Sequence, residues 1–532
     1  MALNKLDKTP NAADAPADAY SESGATDFGR WMALIAALLG WMFDGAEMGV
    51  FSMVGRSAVQ DMLGFDGVPT KVQEEQIGFY FSIIIAVFLV GAATGGVLFG
   101  WLGDRIGRVR AMSLSILTYA LFTGLCGLAQ DPVQLGILRF IAALGMGGEW
   151  ALGVALVMEV WPNRSRALMA GLIGAAANFG YMLVGVIGLM LVAVLAELER
   201  TLSAMGFTEA TVQMLIAHKG WRLMMMLGTL PALLTFFIRI FVPESHKWEQ
   251  EKGKGNTNHW ATVDLLGVLV GGLGPALIIY VWADPTHSAT FRMTGTIVGF
   301  IVAVVGYTFP IFRYLQRANA GKAESESSTW PTVRRMYLGA TLSSVALLGT
   351  WASAQWAPSW AAQLTQNQQN SKEWTQITLS IGALVGAFLI AILGNWLNRR
   401  VTYATMCVLS MVTSWVFYQM HSTFSTSFLV WVFLLGACTS SFYGWLPLYL
   451  PELFTTKIRA TGQGFAYNFG RIIAAIGTLQ MGALLPWFAD NQTYAGLHGG
   501  YPAACSYISA IYIVGIIVIF WAPETRSKPL PE

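Results

Sequence analysis

Runs of about twenty apolar residues recur along nearly the whole chain, and no other feature restricts the fold as much. They lie near 31–54, 77–99, 110–129, 133–158, 167–195 and 222–242, then near 262–283 and 291–312. A further set follows near 334–356, 376–397, 402–420, 427–450, 460–485 and 503–521. A helix needs roughly 20 apolar residues to cross a hydrocarbon core about 30 Å thick. Inside lipid every backbone polar group needs an internal partner, which helices supply within one segment. The expectation is an all-α integral membrane protein with about fourteen spans. Composition agrees: 55% of the 532 residues are hydrophobic and 12% charged, about half the ~25% charge of soluble domains. A formal net charge of +2 gives nucleic acid nothing to bind. The four cysteines, Cys126, Cys407, Cys438 and Cys505, fall inside apolar runs without metal or redox spacing. They read as small core residues. No metal, cofactor or catalytic set is expected, so the chain does not read as an enzyme.

Residues 1–30 are polar, rich in Ala, Asp and Pro, and lack the apolar stretch of a signal peptide. They read as a flexible cytosolic tail. Orientation follows from lysine and arginine in the connecting segments. With the N-terminus inside, the inner segments carry Arg105, Arg108, Arg110, Arg164, Arg166, Lys247, Lys252, Lys254, Arg313, Arg317, Arg334, Arg335, Arg399, Arg400, Lys457 and Arg459. The outer segments carry Arg56, Lys71, Arg200, Lys219, Arg222, Arg292 and Lys372. Both termini are therefore expected in the cytosol, in a cytoplasmic (inner or plasma) membrane. An outer segment over 196–220 has room for a short surface helix.

The chain also repeats itself. Glu159, Arg166, Ala167 and Gly171 recur as Glu452, Arg459, Ala460 and Gly464, each 293 positions later. A weaker match pairs Gly100-x-x-x-Asp104-Arg105 with Gly394-x-x-x-Asn398-Arg399 at an offset of 294. Duplicated halves with an extra helix pair between them explain both matches. Inserting two spans leaves the second half in the orientation of the first. The plan is a tail over 1–30, a six-helix bundle over 31–242 and a linker with two inserted helices over 243–330. A second six-helix bundle covers 331–521, and 522–532 form a cytosolic tail. Internal repeats of this kind typify secondary transporters, whose solute sites lie near mid-membrane between the repeats.

Gly100-Trp-Leu102-Gly-Asp104-Arg105-Ile-Gly107-Arg108 resembles the G-x-L-x-D-R-x-G-R loop signature of the major facilitator superfamily, between its second and third helices. The resemblance extends from about 31 to 521 apart from the inserted pair. It implies two six-helix bundles that alternate access to a central site. The glycines permit a tight turn. The arginines can pair with carboxylates such as Asp104 and Glu159 to latch the inner face, so Gly100, Asp104, Arg105, Gly107, Arg108, Glu159 and Arg166 form a candidate cytosolic gate. Asn398, Arg399, Glu452 and Arg459 are the candidates in the second copy. A plain positive loop is the alternative, but it does not demand the aspartate or the spaced glycines.

Other motifs narrow the family. Asp44-Gly45-Ala46-Glu47 resembles the D-G-x-[DE] signature of bacterial organic-acid:proton symporters. Arg139 to Glu149, with Gly145, Gly147 and Gly148 between, is similar to the fourth helix of those proteins, Ala143 replacing one glycine. Pro243-Glu244-Ser245 and Pro523-Glu524-Thr525 resemble sugar-porter signatures that recur across neighbouring families. The fourteen-span plan is similar to that of bacterial sialic acid:proton symporters.

Charges inside a membrane are costly and usually functional. At 1.5 Å per residue, Asp44 and Arg139 each lie roughly 9 Å from the outer face. They are expected to pair, with Asp44 titrating because arginine stays charged. Glu47, one turn on, would share the proton. A static ion pair between helices one and four is the alternative. Glu149 lies deeper, as a second proton stop or a partner of the cytosolic arginines. Arg471 lies about 16 Å deep, close to the midplane, where a lone arginine needs an anion. That anion is a substrate carboxylate bound in bidentate fashion, or a carboxylate or carbonyl across the cavity. Asn468, Gln355, Trp356, Tyr443, Trp445 and Tyr449 are suited to lining a cavity.

The expectation is proton-coupled import of a small organic anion, such as a monocarboxylate, aromatic acid or sialic acid. Small solute, protons and bilayer are the expected partners, and one chain suffices. The proton gradient replaces any cofactor. A neutral-sugar carrier and an efflux carrier are the alternatives; Arg471 has no purpose in the former.

Overall fold

A computed structural model of the chain describes residues 26–162, 165–284, 286–320, 329–366, 368–488, 493–494, 497–526 and 528–532. Most of the expected N-terminal tail, Arg164 and part of the central linker lie outside the described residues.

Helix boundaries follow local chemistry. Thr70 and Gln73 close a capping box at the start of α2 (Lys71–Ile106), after α1 (Asp27–Met62). Gly107, at φ +114°, turns the chain into α3 (Arg108–Cys126). Its missing side chain leaves room for the Glu244 carboxylate, which a Cβ there would meet at 2.3 Å. Asp131 caps α4 (Pro132–Val160), with proline at the first helical position. α5 (Arg166–Ala204), α6 (Glu209–Met226) and α7 (Pro231–Phe241) complete the first bundle. The outer segment over 196–220 is thus the end of α5 and the start of α6. Within α6 the chain turns left-handed at His218, Lys219 and Gly220. Asp61 at the foot of α1 accepts hydrogen bonds there from Trp221 Nε1 at 2.9 Å and Arg222 at 3.3 Å.

Beyond α8 (His246–Gly253) come the inserted helices α9 (Leu265–Ala283) and α10 (Ala289–Ala318). The second bundle comprises α11 (Trp330–Trp351), α12 (Ala357–Thr365), α13 (Ser371–Trp396), α14 (Arg399–Met420) and α15 (Thr426–Thr439). It continues through α16 (Phe442–Tyr449), α17 (Arg459–Trp487), α18 (Tyr501–Ser509) and α19 (Ile511–Val518). The one strand pair among the described residues is β1 (Thr493–Tyr494) with β2 (Leu497–His498).

Twelve helical stretches among the described residues are long and apolar enough to cross a membrane, against the fourteen expected. α11 and α17 are the two long helices outside that set. Both carry polar side chains that are buried, Ser343 and Thr350 on α11, and Gln463, Asn468 and Arg471 on α17. Helices that face the interior of a bundle rather than lipid lose apolarity in this way.

The halves meet along two seams. α2 packs along α17, and α5 packs along α13 and α16. The ends of the chain share one pole of the molecule: Trp161 Nε1 donates to the Arg30 carbonyl at 3.2 Å, and Arg459 donates to the Pro531 carbonyl at 2.6 Å.

The inserted pair is close-packed through small residues. A Cβ on Gly274 would lie 2.2 Å from the Gly299 carbonyl oxygen, and one on Gly306 would lie 2.3 Å from Gly271 N. The pair sits against the α2–α17 seam. Consecutive residues of α10 reach opposite halves. Tyr307 shares a 2.7 Å hydrogen bond with Thr94 of α2, and Thr308 shares one of 3.1 Å with Tyr337 of α11. A net buried hydrogen bond is worth about 1 kcal/mol. Tyr307→Phe should therefore lower the thermal midpoint in detergent by roughly 1–3 °C. An unchanged midpoint would deny the contact any structural weight.

Candidate functional site

At the pole holding the termini, α2, α4 and α17 converge on a sealed charge cluster. Arg108 is fully buried and pairs with Asp104 at 2.6 Å and Glu159 at 3.2 Å. Glu159 also takes Arg459 of the second half at 2.7 Å, and the Ser245 hydroxyl donates to it. Asp104 accepts from the backbone N–H groups of Ala460 and Thr461, at 3.2 and 2.8 Å, and from the Thr461 hydroxyl at 2.6 Å. A carboxylate from one half thus caps the first turn of a helix in the other, where the helix dipole favours negative charge. Gly100 lets the helices approach: a Cβ there would lie 2.7 Å from the Ala460 carbonyl oxygen. Four expected gate residues, Asp104, Arg108, Glu159 and Arg459, therefore meet across the halves.

The other charged candidates make their hydrogen bonds elsewhere, although Arg166 stays within electrostatic reach of Glu159, Arg459 and Glu452. Arg105 donates to Thr262 of the linker at 3.0 Å, and Arg166 donates to the Met158 carbonyl of its own half at 3.2 Å. Arg399 and Glu452 form a bidentate pair at 2.8 and 3.1 Å within the second half.

The structure also corrects the weaker repeat match. Arg399, not a partner of Arg105, is the counterpart of Arg108. Each starts its helix, donates to the carbonyl five residues back (Gly103 and Gly394) and pairs with the repeated glutamate. Asn398 stands where Gly107 stands and caps α14 by accepting from Val401 N at 2.7 Å. The offset is 291, one helical turn from 294, because Gly-x-x-x patterns recur at nearly turn-like spacing. The two Pro-Glu signatures gain a role: Glu244 accepts from Arg108 N at 2.8 Å, and Glu524 from Arg399 N at 3.1 Å. Each ties the end of its bundle to a helix start. Glu244 lies outside the spans, and its burial pushes its carboxyl above the usual range.

In the middle of the molecule the charges pair differently from the sequence expectation. Arg139 forms its ion pair with Glu47, not Asp44. Thr123 donates to the same Glu47 oxygen at 3.5 Å. The Phe51 and Phe88 rings flank the guanidinium, each centroid 4.3 Å from its central carbon. The depth argument failed because α1, with 36 residues, runs about 54 Å and overshoots the ~30 Å core. That excess of about 24 Å is more than four turns, so a count from its first residue does not set the level of Asp44.

Asp44 instead faces Glu149 of α4, and the two carboxyl groups interact directly. Glu149 fills the notch left by Gly40, one turn before Asp44. None of the four carboxyl oxygens has a hydrogen-bond partner of regular geometry among the described residues. Asp44 also lies within electrostatic reach of Arg471, across the interface between the halves. Arg471 is buried with Nη1 unpartnered, its guanidinium carbon 5.5 Å from the Tyr467 ring centroid. Tyr467 stacks at 3.6 Å on Trp150 of the opposite half.

Arg471 borders a central cavity of about 40 Å³ with Trp41, Asn178, Tyr181, Thr350, Trp351, Gln355 and Tyr443. Of the expected lining residues, Gln355, Tyr443 and Arg471 are there. Asn468 is not: its amide donates to the Gly147 carbonyl of α4 at 3.0 Å and locks the halves together. Trp356 packs against Tyr501 instead, and Trp445 and Tyr449 stack on each other in the second bundle's core. Asn178, Tyr181 and Thr350 were missed; Asn178 and Tyr181, three apart on α5, share a face, a signal the sequence did carry.

A cavity of that size holds water but no organic solute, so a solute enters only when the halves part. The buried ion-pair cluster is one of the contacts that holds the halves together at its pole. Removing one member of a buried ion pair costs about 3–5 kcal/mol. Asp104→Asn should therefore shift the halves toward opening at that pole. Labelling of Ala460→Cys by a polar thiol reagent in inside-out vesicles should rise about tenfold; no rise would remove Asp104 from the latch.

The comparisons agree with this architecture. The family described as "Sugar (and other) transporter" matches residues 32–260 and 288–528. A protein of Haemophilus influenzae described as a metabolite transport protein is 26% identical over 94% of this chain and 98% of its own length. The cis,cis-muconate transport protein of Acinetobacter baylyi is 25% identical over 91% of this chain and 94% of its own. The niacin transporter NiaP of the same organism is 22% identical, covering 92% and 93%. Among solved structures, the proton:xylose symporter XylE, from Escherichia coli, superposes with a TM-score of 0.65 at 17% identity, covering 94% of this chain and 98% of that one. With two helical halves, an ion-pair cluster shared between them and a buried cavity where they meet, the chain belongs to the sugar (and other) transporter family of the major facilitator superfamily, and it is a multi-pass membrane transporter.

Proposed function

We propose that the protein imports a small organic acid with protons across the cytoplasmic membrane, with both termini in the cytosol and α11 and α17 completing fourteen spans. The observation that carries this reading is the pair of facing carboxyl groups, Asp44 and Glu149, with Asp44 within electrostatic reach of the partly unpartnered Arg471 across the interface between the halves. Two carboxyl groups in contact and out of water resist being charged together; in this scheme Glu149 stays protonated throughout, and Asp44 gains and loses the transported proton. Without that proton, Asp44 attracts Arg471 and the halves stay together. With it, Arg471 needs another anion, and a substrate carboxylate supplies it through two charge-assisted hydrogen bonds. Loaded with proton and anion, the carrier holds no uncompensated charge and can reorient. A proton moving with one monoanion carries no net charge, so the pH gradient drives the step: each pH unit is worth about 1.4 kcal/mol and sustains roughly a tenfold solute gradient.

Glu47 and Arg139 play a static part in this scheme, bracing α1 against α4 between two aromatic rings. The aromatic walls, Trp41, Trp351, Tyr443 and Tyr467, suit flat, unsaturated acids, in keeping with the muconate and niacin carriers among the relatives. A neutral sugar, the cargo of XylE, leaves Arg471 unanswered. The test is uptake into proteoliposomes under an imposed pH gradient, against cis,cis-muconate, nicotinate, N-acetylneuraminate and D-xylose. Accumulation of at least one acid that collapses with the gradient is expected. Accumulation of xylose alone would reverse the reading.

A further inference from the structure

Three small cavities line up along the α5–α13 seam, and they share residues. The outermost, at the pole opposite the termini, is lined by Ser52, Tyr181, Lys372, Glu373 and Gln376 among others. The next contains Asn178, Tyr181, Gln355, Gln376 and Ser380. The third is the central cavity with Asn178, Tyr181, Gln355 and Arg471. Gln376 belongs to the first two, Asn178 and Gln355 to the last two, and Tyr181 to all three. Lys372 and Ser380, eight residues apart on α13, mark a descent of about 12 Å.

Two side chains along this line have chemistry that nothing else in the molecule uses. Lys372 has no ion pair or hydrogen bond among the described residues, although Glu373 is its sequence neighbour. Its electrostatic neighbours are Lys219 and Arg56, which add positive charge at the mouth, and Glu373, which partly offsets it. Arg56 forms an ion pair with Glu74, whereas Lys372 forms none among the described residues. Tyr181 is 6% exposed and its hydroxyl is unpartnered, though it stands in the wall of every cavity on the line.

We propose that this seam is the outer entry path for the solute, that Lys372 with Gln376 forms a vestibular subsite for a small carboxylate, and that Tyr181 is the door between it and Arg471. The chain of amide and hydroxyl groups from Gln376 through Ser380 and Asn178 replaces hydration stepwise as the anion descends. The proposal rests on the orientation and the anionic cargo argued above, but its test does not depend on transport.

The experiment labels single-cysteine variants of the full chain in intact cells with two membrane-impermeant methanethiosulfonates, one sulfonate-bearing and one trimethylammonium-bearing. The parent chain, with Cys126, Cys407 and Cys505 buried and Cys438 half-buried, supplies the background. Gln376→Cys should react with both reagents from outside. Adding Lys372→Gln should lower the anionic-to-cationic rate ratio about fivefold at low salt. Lys372→Arg should preserve the ratio, and high salt should compress it. Tyr181→Ala should raise labelling of Thr350→Cys in the central cavity, and Tyr181→Phe should not. An unchanged ratio in Lys372→Gln, no gain in Tyr181→Ala, or labelling of Gln376→Cys only in inside-out vesicles would overturn the proposal. Labelling and uptake are separate readouts, so loss of this path leaves proton-coupled acid transport standing, and the reverse.

Discussion

Asp44→Asn is expected to abolish uphill accumulation of the acid while leaving exchange of internal for external solute. The asparagine keeps the shape of the side chain, removes the titrating oxygen and leaves Glu149 without the carboxyl it faces. The carrier then behaves as if permanently protonated. Arg471 is always free to take an anion, so substrate still binds and the loaded carrier still turns. What fails is the return of the empty form without its proton, because no anion at position 44 remains to answer Arg471. Counterflow and net uptake separate these steps: radiolabel exchange should stay within about threefold of the parent, whereas gradient-driven accumulation should fall to the level of empty vesicles. Since each unit of pH difference is worth about 1.4 kcal/mol to a proton moving with a monoanion, the lost accumulation ratio is about tenfold per pH unit imposed. Glu47→Gln makes a useful contrast. It breaks the bracing pair with Arg139, so it should reduce the amount of folded protein more than it alters coupling in what remains.

The second large effect is expected at Arg471. Hydrogen bonds to charged groups contribute about 1.5–3 kcal/mol each, and a guanidinium offers a carboxylate two in a fixed geometry. Arg471→Lys keeps the charge but loses the fork, and kcat/KM for the acid should fall by one to two orders of magnitude. Arg471→Gln should lose still more, because Asp44 then faces no cation in the unloaded carrier. Expression should be affected less in the lysine variant than in the glutamine variant. A lysine variant with unchanged apparent affinity would assign Arg471 to Asp44 alone and take the substrate elsewhere.

The helical architecture was legible because lipid imposes one rule on every span, and apolar runs announce it. The ion-pair cluster between the halves was legible for a related reason: Gly100, Asp104, Gly107 and Arg108 form a short local pattern whose spacing is set by a single turn. The partnership of Glu159 with Arg459 was foreshadowed by the repeat, which placed the two at equivalent ends of the halves. The centre was less readable. The residues Asp44, Glu47, Arg139, Glu149 and Arg471 stood out as intramembrane charges, but which of them meet depends on rotations and shifts of a single turn between helices that are distant in sequence. A displacement of about 5 Å moved Arg139 from Asp44 to Glu47, and Asp44 to Glu149 and Arg471. Asn468 illustrates another limit. An amide in a buried helix can face solute or grip a backbone carbonyl, and only the neighbouring helix decides. Asn178 and Thr350 escaped notice because small polar residues in apolar helices commonly satisfy themselves on their own backbone, as Thr350 also does by donating to Ala346 at 2.9 Å.

Proton movement evoked by the substrate tests the central claim most directly. Purified protein is reconstituted in liposomes holding a pH-sensitive dye, with no initial pH gradient, and cis,cis-muconate, nicotinate or N-acetylneuraminate is added outside, with D-xylose as the neutral control. The account predicts that at least one acid acidifies the lumen through the parent protein, that Asp44→Asn abolishes the signal, and that xylose gives none. Uptake of an acid with no proton signal, or an undiminished signal in Asp44→Asn, would contradict it.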